Sequence, residues 1–329
     1  MMQQVVFLTY LNRSGSTYLA KLLDEYSDIG VTPEARLPDG IIYSQFSLKA
    51  SEDIEKILNK LYSDEKFLAW NIDRSVLEKK ISTLEFPVAF NQFLGIILKE
   101  YFKNTNTKIF IYKSGHYIKH IETIRTLLPD AKFIFILRDI RACYNSQKIS
   151  MDSRTKKPME TTPFFAAMSF IEVSKILDKY AQAKWMHIVK YEDLIIDENR
   201  EINKLLSFLE TGKRKSEGIN NYFNQISKSQ RHLHKNLNLE PLKERIDAWR
   251  YELSKAEILI LQRIAGDILS KYGYMLVSFE KIFIIDRIYC FNYWLRYFFK
   301  NLRQKIAIRK RVELLKRHFF KRIPQRYWI

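Results

Sequence analysis

Residues 5–11 (VVFLTYL) form a nearly unbroken apolar run rich in β-branched and aromatic side chains. A run of that kind reads as a strand buried on both faces, which places it inside a layered α/β structure. After a short polar stretch, Leu19, Leu22, Leu23 and Tyr26 recur at i, i+3, i+4 and i+7, the spacing of a helix that buries one face. The chain therefore opens strand, tight loop, helix. The same alternation predicts strands at Ile109–Tyr112, Phe133–Leu137 and Met186–Lys190, and helices over Ile118–Leu128 and around Ile202, Leu205, Leu206 and Leu209. Strands alternating with helices imply a central parallel sheet flanked by helices, an α/β fold of three layers.

Residues 37–105 break this rhythm. They read as helices, Pro87–Phe102 among them, inserted between sheet strands and expected to shape an acceptor site. Residues 151–161 and 211–218 are polar and without apolar period, hence loops. At 329 residues and 47% hydrophobic content the chain can bury a substantial core. Two cysteines, Cys143 and Cys290, make no disulfide framework, and His232 and His234 make no zinc constellation; a reducing compartment and no metal are expected. The N-terminus has no basic region or cleavage site, so the expected location is cytoplasmic. No stretch has the ~18 uncharged apolar residues of a spanning helix.

Asn12–Thr17 joins the first strand to the first helix. Small residues feeding a helix N-terminus aim backbone N–H groups at one point with the helix dipole behind them, which suits an anion. Arg13 adds a permanent charge and a planar fork for phosphate or sulfate oxygens. Ser16 and Thr17 add hydroxyls. On its own, a Ser-Gly-Ser turn is equally well a capped strand-to-helix junction. The Gly-Lys-Ser/Thr of a Walker A loop is absent, which disfavours an ordinary ATP or GTP enzyme.

The run FLTYLNRSGSTYLAKLL resembles the 5′-phosphosulfate loop of sulfotransferases that use 3′-phosphoadenosine-5′-phosphosulfate (PAPS). FIFILRDIRACYNS, a strand ending in Arg138 with Ser146 eight residues later, is similar to that family's 3′-phosphate element. An arginine at a strand end and a serine on the next helix can converge on one phosphate. The likeness extends more weakly to Tyr274, with Tyr191 at a further strand end. It implies a P-loop-like three-layer fold, PAPS as co-substrate, PAP as product, and a hydroxyl-bearing acceptor. Among relatives, the protein-tyrosine sulfotransferases share Arg-Ser-Gly and a glutamate 21 residues after the arginine, here Glu34, with Arg36 following. The likeness also implies an arginine where Ser150 stands and a lysine where Ala248 stands; Lys148, Arg154 and Arg250 are candidate substitutes. Ser227, Lys228 and Arg231 are candidates for the adenosine side.

Sulfuryl transfer asks for in-line positioning and for stabilisation of charge on leaving and equatorial oxygens. Arg13, the backbone of Ser14, Gly15, Ser16 and Thr17, and Lys113 are expected to hold the sulfate and bridging oxygen. Two residues are candidates for the base that takes the acceptor's proton: Glu34, where the resemblance places it, and His116, shortly after the strand-end Lys113. The matched offset from Arg13 favours Glu34. Two other functions remain open at this stage, a P-loop-type nucleotide kinase and a basic nucleic-acid-binding protein, the latter disfavoured by the absence of a recognition module.

The last 50 residues stand apart. Residues 1–279 read as the catalytic domain and 280–329 as a helical extension, in which 14 Lys and Arg face 3 Asp and Glu, +11 of the chain's net +18. Its first half is aromatic and its second basic, a combination suited to an anionic membrane surface. The alternatives are that the aromatic half packs on the catalytic domain and the basic half is a solvated helix, or that the charges bind an anionic acceptor or nucleic acid. The acceptor is expected to be a glycan or glycolipid hydroxyl at the inner face of a membrane.

Overall fold

The computed structural model describes residues 4–35, 47–48, 51–152, 156–160, 162–212, 222–226, 231, 243–279, 284–299 and 302. Seven strands occur among them: β1 (Gln4–Tyr10), β2 (Ile29–Val31), β3 (Ser47–Leu48), β4 (Val88–Ala89), β5 (Ile109–Lys113), β6 (Lys132–Leu137) and β7 (Met186–Lys190). Five of these form a parallel sheet in the order β2-β5-β1-β6-β7, and β3 pairs with β4 in a separate antiparallel ribbon.

The sheet strands have a chemical alternation that explains how both faces are buried. On β1, β5 and β6 the aliphatic residues Val6, Leu8, Ile109, Ile111, Ile134 and Ile136 point to one face, against helix α1 (Ser16–Leu23) and the helix Glu198–Leu209. The intervening Phe7, Phe110, Tyr112, Phe133 and Phe135 point to the other, in a core shared with the inserted helices. Phe7 stacks on Phe133 at 5.2 Å between ring centroids and meets Tyr117 edge-on at 5.7 Å. A period of two with both phases apolar is what a strand between two helical layers requires.

The described residues of this segment contain helices at Ser51–Tyr62, Glu65–Leu68, Arg74–Ser82 and α2 (Phe90–Tyr101). α2 begins three residues later than the apolar pattern predicts, because Val88 and Ala89 pair with Leu48 and Ser47. Residues 118–128 also differ from a single helix: a 3-10 turn, Gly115–His120, leads off β5 and gives way to the α-helix Ile121–Leu127. Beyond β6 lie α3 (Ile140–Ile149), α4 (Pro163–Tyr180), α5 (Lys255–Lys271) and α6 (284–299). α6 lies against the domain through one stripe: the Tyr293 hydroxyl donates to Glu257 on α5 at 3.0 Å, and Tyr297 packs on Phe164 and Phe165 of α4. One stripe of α6, with Tyr293 and Tyr297, thus packs on the domain, while Ile284, Ile288, Phe291, Trp294 and Phe298 remain exposed. Among the described residues, no helix is long and apolar enough to cross a membrane.

Candidate active site

In this order β1 is central, and the chain leaves its carboxyl end in one direction for β2 and β5 and in the other for β6 and β7. Such a reversal opens a crevice at the strand ends, where open α/β sheets place ligands. The segment after β2 carries Glu34, β5 ends in Lys113, β1 runs into residues 11–15, β6 is followed by Arg138, and β7 by Tyr191. Residues far apart in sequence meet there because every strand of the five-stranded sheet is parallel.

The loop after β1 is held tightly. Ser14 N–H donates to the Leu11 carbonyl at 3.2 Å, and both Arg13 (φ 67°) and Gly15 (φ 94°) take left-handed backbone conformations. A Cβ on Gly15 would lie 2.3 Å from the Tyr191 ring, so glycine is required there by both conformation and contact. The turn leaves the first N–H groups of α1 facing the loop. The Ser14 hydroxyl is buried without a partner.

On one side of the loop two guanidinium groups come together. Arg13 Nε donates to Ser146 Oγ on α3 at 3.0 Å, and Arg138 Nη1 donates to the Arg13 carbonyl at 3.1 Å. The Arg138 guanidinium lies 4.2 Å from the centroid of the Tyr191 ring, and its buried Nε has no partner. Burial and the neighbouring Arg138 charge push the Arg13 pKa down. Two like charges held together and partly withdrawn from water are costly unless an anion joins them. With the orphaned Ser14 hydroxyl and Arg138 Nε, this arrangement fits a bound phosphate. Arg13 thereby contacts the expected 3′-phosphate residues, Arg138 and Ser146.

A second cluster lies on the other side of α1. Lys113 Nζ donates to Thr17 Oγ1 at 2.9 Å and lies 5.6 Å from the centroid of the Tyr10 ring; burial pushes its pKa down to about 8. Lys113 N–H donates to Thr32 Oγ1 at 3.2 Å, and the Tyr112 hydroxyl donates to the Ala35 carbonyl at 2.9 Å, fixing the backbone on either side of Glu34. The Glu34 carboxylate accepts from Lys66 Nζ at 2.6 Å. Burial pushes the Glu34 carboxyl up, but the Lys66 and Lys113 charges outweigh it and leave the pKa below the ordinary value. Burial and Glu34 raise the Tyr10 phenol. His116 lies in the 3-10 turn beyond Lys113, its Nε2 at 3.1 Å from Nε2 of His120.

The remaining sequence candidates divide. Arg231 Nε donates to the Ile226 carbonyl at 3.2 Å, while Arg36, Arg154, Ser227 and Lys228 lie outside the described residues. Lys148 pairs with Glu257 at 3.0 Å and Arg250 with Asp247 at 2.9 Å. Two residues that sequence reasoning missed stand close by. Lys66 reaches Glu34 from the insertion, and no local spacing could link positions so far apart. The Arg245 carbonyl accepts from Arg138 Nη2 at 3.3 Å, and its guanidinium pairs with Glu252. Among the described residues no three His, Cys, Asp or Glu side chains cluster as metal ligands.

The model of the sulfotransferase family matches residues 5–213, most of the chain and all of the geometry above up to β7 and its following helices. The chain belongs to the sulfotransferase family. Membership makes it a sulfotransferase, which sets aside the kinase and nucleic-acid-binding readings. Among solved structures, the sulfotransferase domain from the curacin biosynthetic pathway is similar at 19% identity and a TM-score of 0.52, covering 84% of this chain and 99% of that one. The sulfotransferase domain from the Synechococcus PCC 7002 olefin synthase is similar at 18% identity and a TM-score of 0.56, over 83% and 95%. Both show that this sulfotransferase shares their fold. A comparison with curated proteins gave no match.

Proposed function

We propose that this sulfotransferase moves the sulfuryl group of PAPS to a hydroxyl of a glycan or glycolipid presented at a membrane surface. The observation that carries the donor half is the pair of cationic clusters on either side of the start of α1, one around Arg13 and Arg138, the other around Lys113. Arg138, Ser146 and Arg13 hold the 3′-phosphate, Tyr191 carries the loop and the Arg138 guanidinium, and Ser227, Lys228 and Arg231 serve the adenosine side. The N–H groups of Ser14–Thr17 and the Lys113 ammonium take up the charge that grows on the leaving phosphate oxygens. Glu34 accepts the proton of the acceptor hydroxyl, with His116 as the competing base. No metal is assigned to the reaction.

The acceptor half rests on the extension. The exposed apolar face of α6, next to the most basic part of the sequence, suits the headgroup region of an anionic leaflet. A cytoplasmic enzyme held at the inner face of a membrane would meet lipid-linked sugars there. The experiment is incubation of the full chain with PAPS and a panel of glycans, glycolipids in vesicles, phenols and tyrosyl peptides, with sulfated products read by mass spectrometry. Sulfated carbohydrate supports the proposal. Product from phenols or tyrosyl peptides alone overturns the acceptor class. Calorimetry with PAP in the absence of Mg²⁺ measures the donor half separately.

A further inference from the structure

The contact between Lys66 and Glu34 is built by more than two side chains that happen to meet. Lys66 lies on the four-residue helix Glu65–Leu68, started by Asp64, whose carboxylate accepts Lys66 N–H at 3.0 Å. The next residue, Phe67, is buried and packs on Tyr62 and Trp70 with ring centroids at 5.3 and 5.5 Å. Trp70 in turn lies 5.8 Å from Tyr112 of β5. Tyr112 is the residue whose hydroxyl holds the Ala35 carbonyl, and its chain neighbour is Lys113. One aromatic chain therefore fixes the Lys66 backbone, the Glu34–Ala35 backbone and the strand end bearing Lys113 in a common frame.

The two charged side chains are each about a third or less exposed, 26% for Lys66 and 34% for Glu34. A pair so placed is partly shielded from solvent but open to a ligand from the crevice. The groups facing Glu34 are Lys66 from the insertion, Lys113 from β5, Tyr10 from β1 and, farther off, Tyr222. Lys113 is already bonded to Thr17, so Lys66 is the cation that directs the carboxylate. A general base has to be ionised and aimed, and a misplacement of about 1 Å costs on the order of 10²-fold in rate.

We propose that Lys66 is a positioning residue for sulfuryl transfer, carried by the helical insertion, which aims the Glu34 carboxylate toward the Lys113 end of the crevice and keeps it ionised. This inference rests on the reading of Glu34 as the base. It also gives the insertion a second task, since the helices expected to shape the acceptor site would supply the charge that prepares the base. An acceptor hydroxyl approaching Glu34 has to share the carboxylate with the Lys66 ammonium, which links acceptor entry to this helix.

The test uses the full chain with PAP bound and its glutamates labelled with ¹³C at the carboxyl carbon, the Glu34 signal being assigned by its loss in Glu34→Gln. Removing a cation destabilises the carboxylate anion, so in Lys66→Met the Glu34 titration moves to higher pH, and in Lys66→Arg it returns toward the wild-type position. With the best acceptor of the panel, Lys66→Met lowers kcat by about 10- to 100-fold and shifts the acid limb of kcat/KM upward, and Lys66→Arg recovers most of the rate. An unshifted Glu34 titration or an unchanged rate in Lys66→Met overturns the role of Lys66 while leaving Glu34 as the base. Near-full turnover by Glu34→Gln overturns the base assignment, and the catalytic role of Lys66 with it. Circular dichroism of each variant separates these effects from loss of fold, and a Lys66→Met chain that is folded but unaffected in both readouts is the decisive negative.

Discussion

At the scale of single residues, the site works through groups whose charge is set by burial. Lys113 titrates near 8, far below an exposed lysine, because the sheet end gives its ammonium little water. Below that pH the group is cationic and, in the role proposed for it, attracts the donor's 5′ oxygens; above it the free enzyme is neutral there and binding must recruit a proton. PAP affinity should therefore hold up to about pH 8 and then fall by about tenfold per pH unit, a limb that Lys113→Met lacks while binding more weakly throughout. Calorimetry between pH 7 and 9.5 reads this directly, and an identical limb in the variant assigns it to another group. Arg13→Ala or Arg13→Lys should raise the KM for PAPS by about tenfold or more, the loss of a charge-assisted contact to the 3′-phosphate. Because its guanidinium stands with Arg138 and Ser146, the same change should also weaken PAP binding. An unchanged KM in either variant removes Arg13 from the site.

At the scale of elements, the loop after β1 and the helix α3 depend on supporting side chains from other parts of the fold. The Tyr191 ring lies under Gly15 and faces Arg138, so the ring rather than the hydroxyl makes these contacts. Tyr191→Phe should bind PAP nearly as well as the wild type, and Tyr191→Ala about tenfold or more weakly, in line with a partly desolvated cation–π contact of about 1–2 kcal/mol. Equal losses in both would transfer the role to the hydroxyl. α3, which presents Ser146, starts at Asp139, whose carboxylate accepts the Arg141 N–H at 2.8 Å and pairs with the Arg141 guanidinium at 2.7 Å. Arg141 is buried, stacks on Trp249 at 3.9 Å and donates to the Met275 carbonyl at 3.0 Å. Arg141→Met leaves the Asp139 charge buried without its partner, and should cost about 3–5 kcal/mol in denaturant unfolding. A cost below about 1 kcal/mol would show that water reaches the pair.

At the scale of the whole molecule, the catalytic body and α6 can be tested apart. Tyr293 and Tyr297 anchor α6 to α5 and α4, so cutting the chain before α6 would also uncover part of the domain. Replacing exposed residues avoids that. Ile284→Ser, Ile288→Ser, Phe291→Ser and Phe298→Ser combined should leave folding and PAP binding intact, yet reduce co-sedimentation with anionic vesicles severalfold. Binding of the wild type should weaken with salt and be poor on neutral vesicles. Equal sedimentation of the variant and the wild type would show that α6 takes no part in membrane contact.

The chain's own pattern determined the layered fold and the donor loop, for a local reason. Strands with both phases apolar, helices of period near 3.6, and a small-residue loop ending at Gly15 each declare themselves within a few positions, and Arg138 and Ser146 share one strand–helix unit. What only the tertiary structure decided involves partners separated by long loops of chain. The approach of Lys66 to Glu34, the turn of the Arg13 guanidinium toward Ser146, the ring of Tyr191 beneath Gly15 and the Arg245 carbonyl at Arg138 all depend on which strand ends a parallel sheet sets side by side. Spacing along the sequence carries no signal for such pairs, because their proximity comes from strand order and side-chain packing. The two faces of α6 were undecided for the same reason: its residues are apolar nearly all round, and only the position of α4 and α5 selects which stripe is buried and which is left to meet another surface.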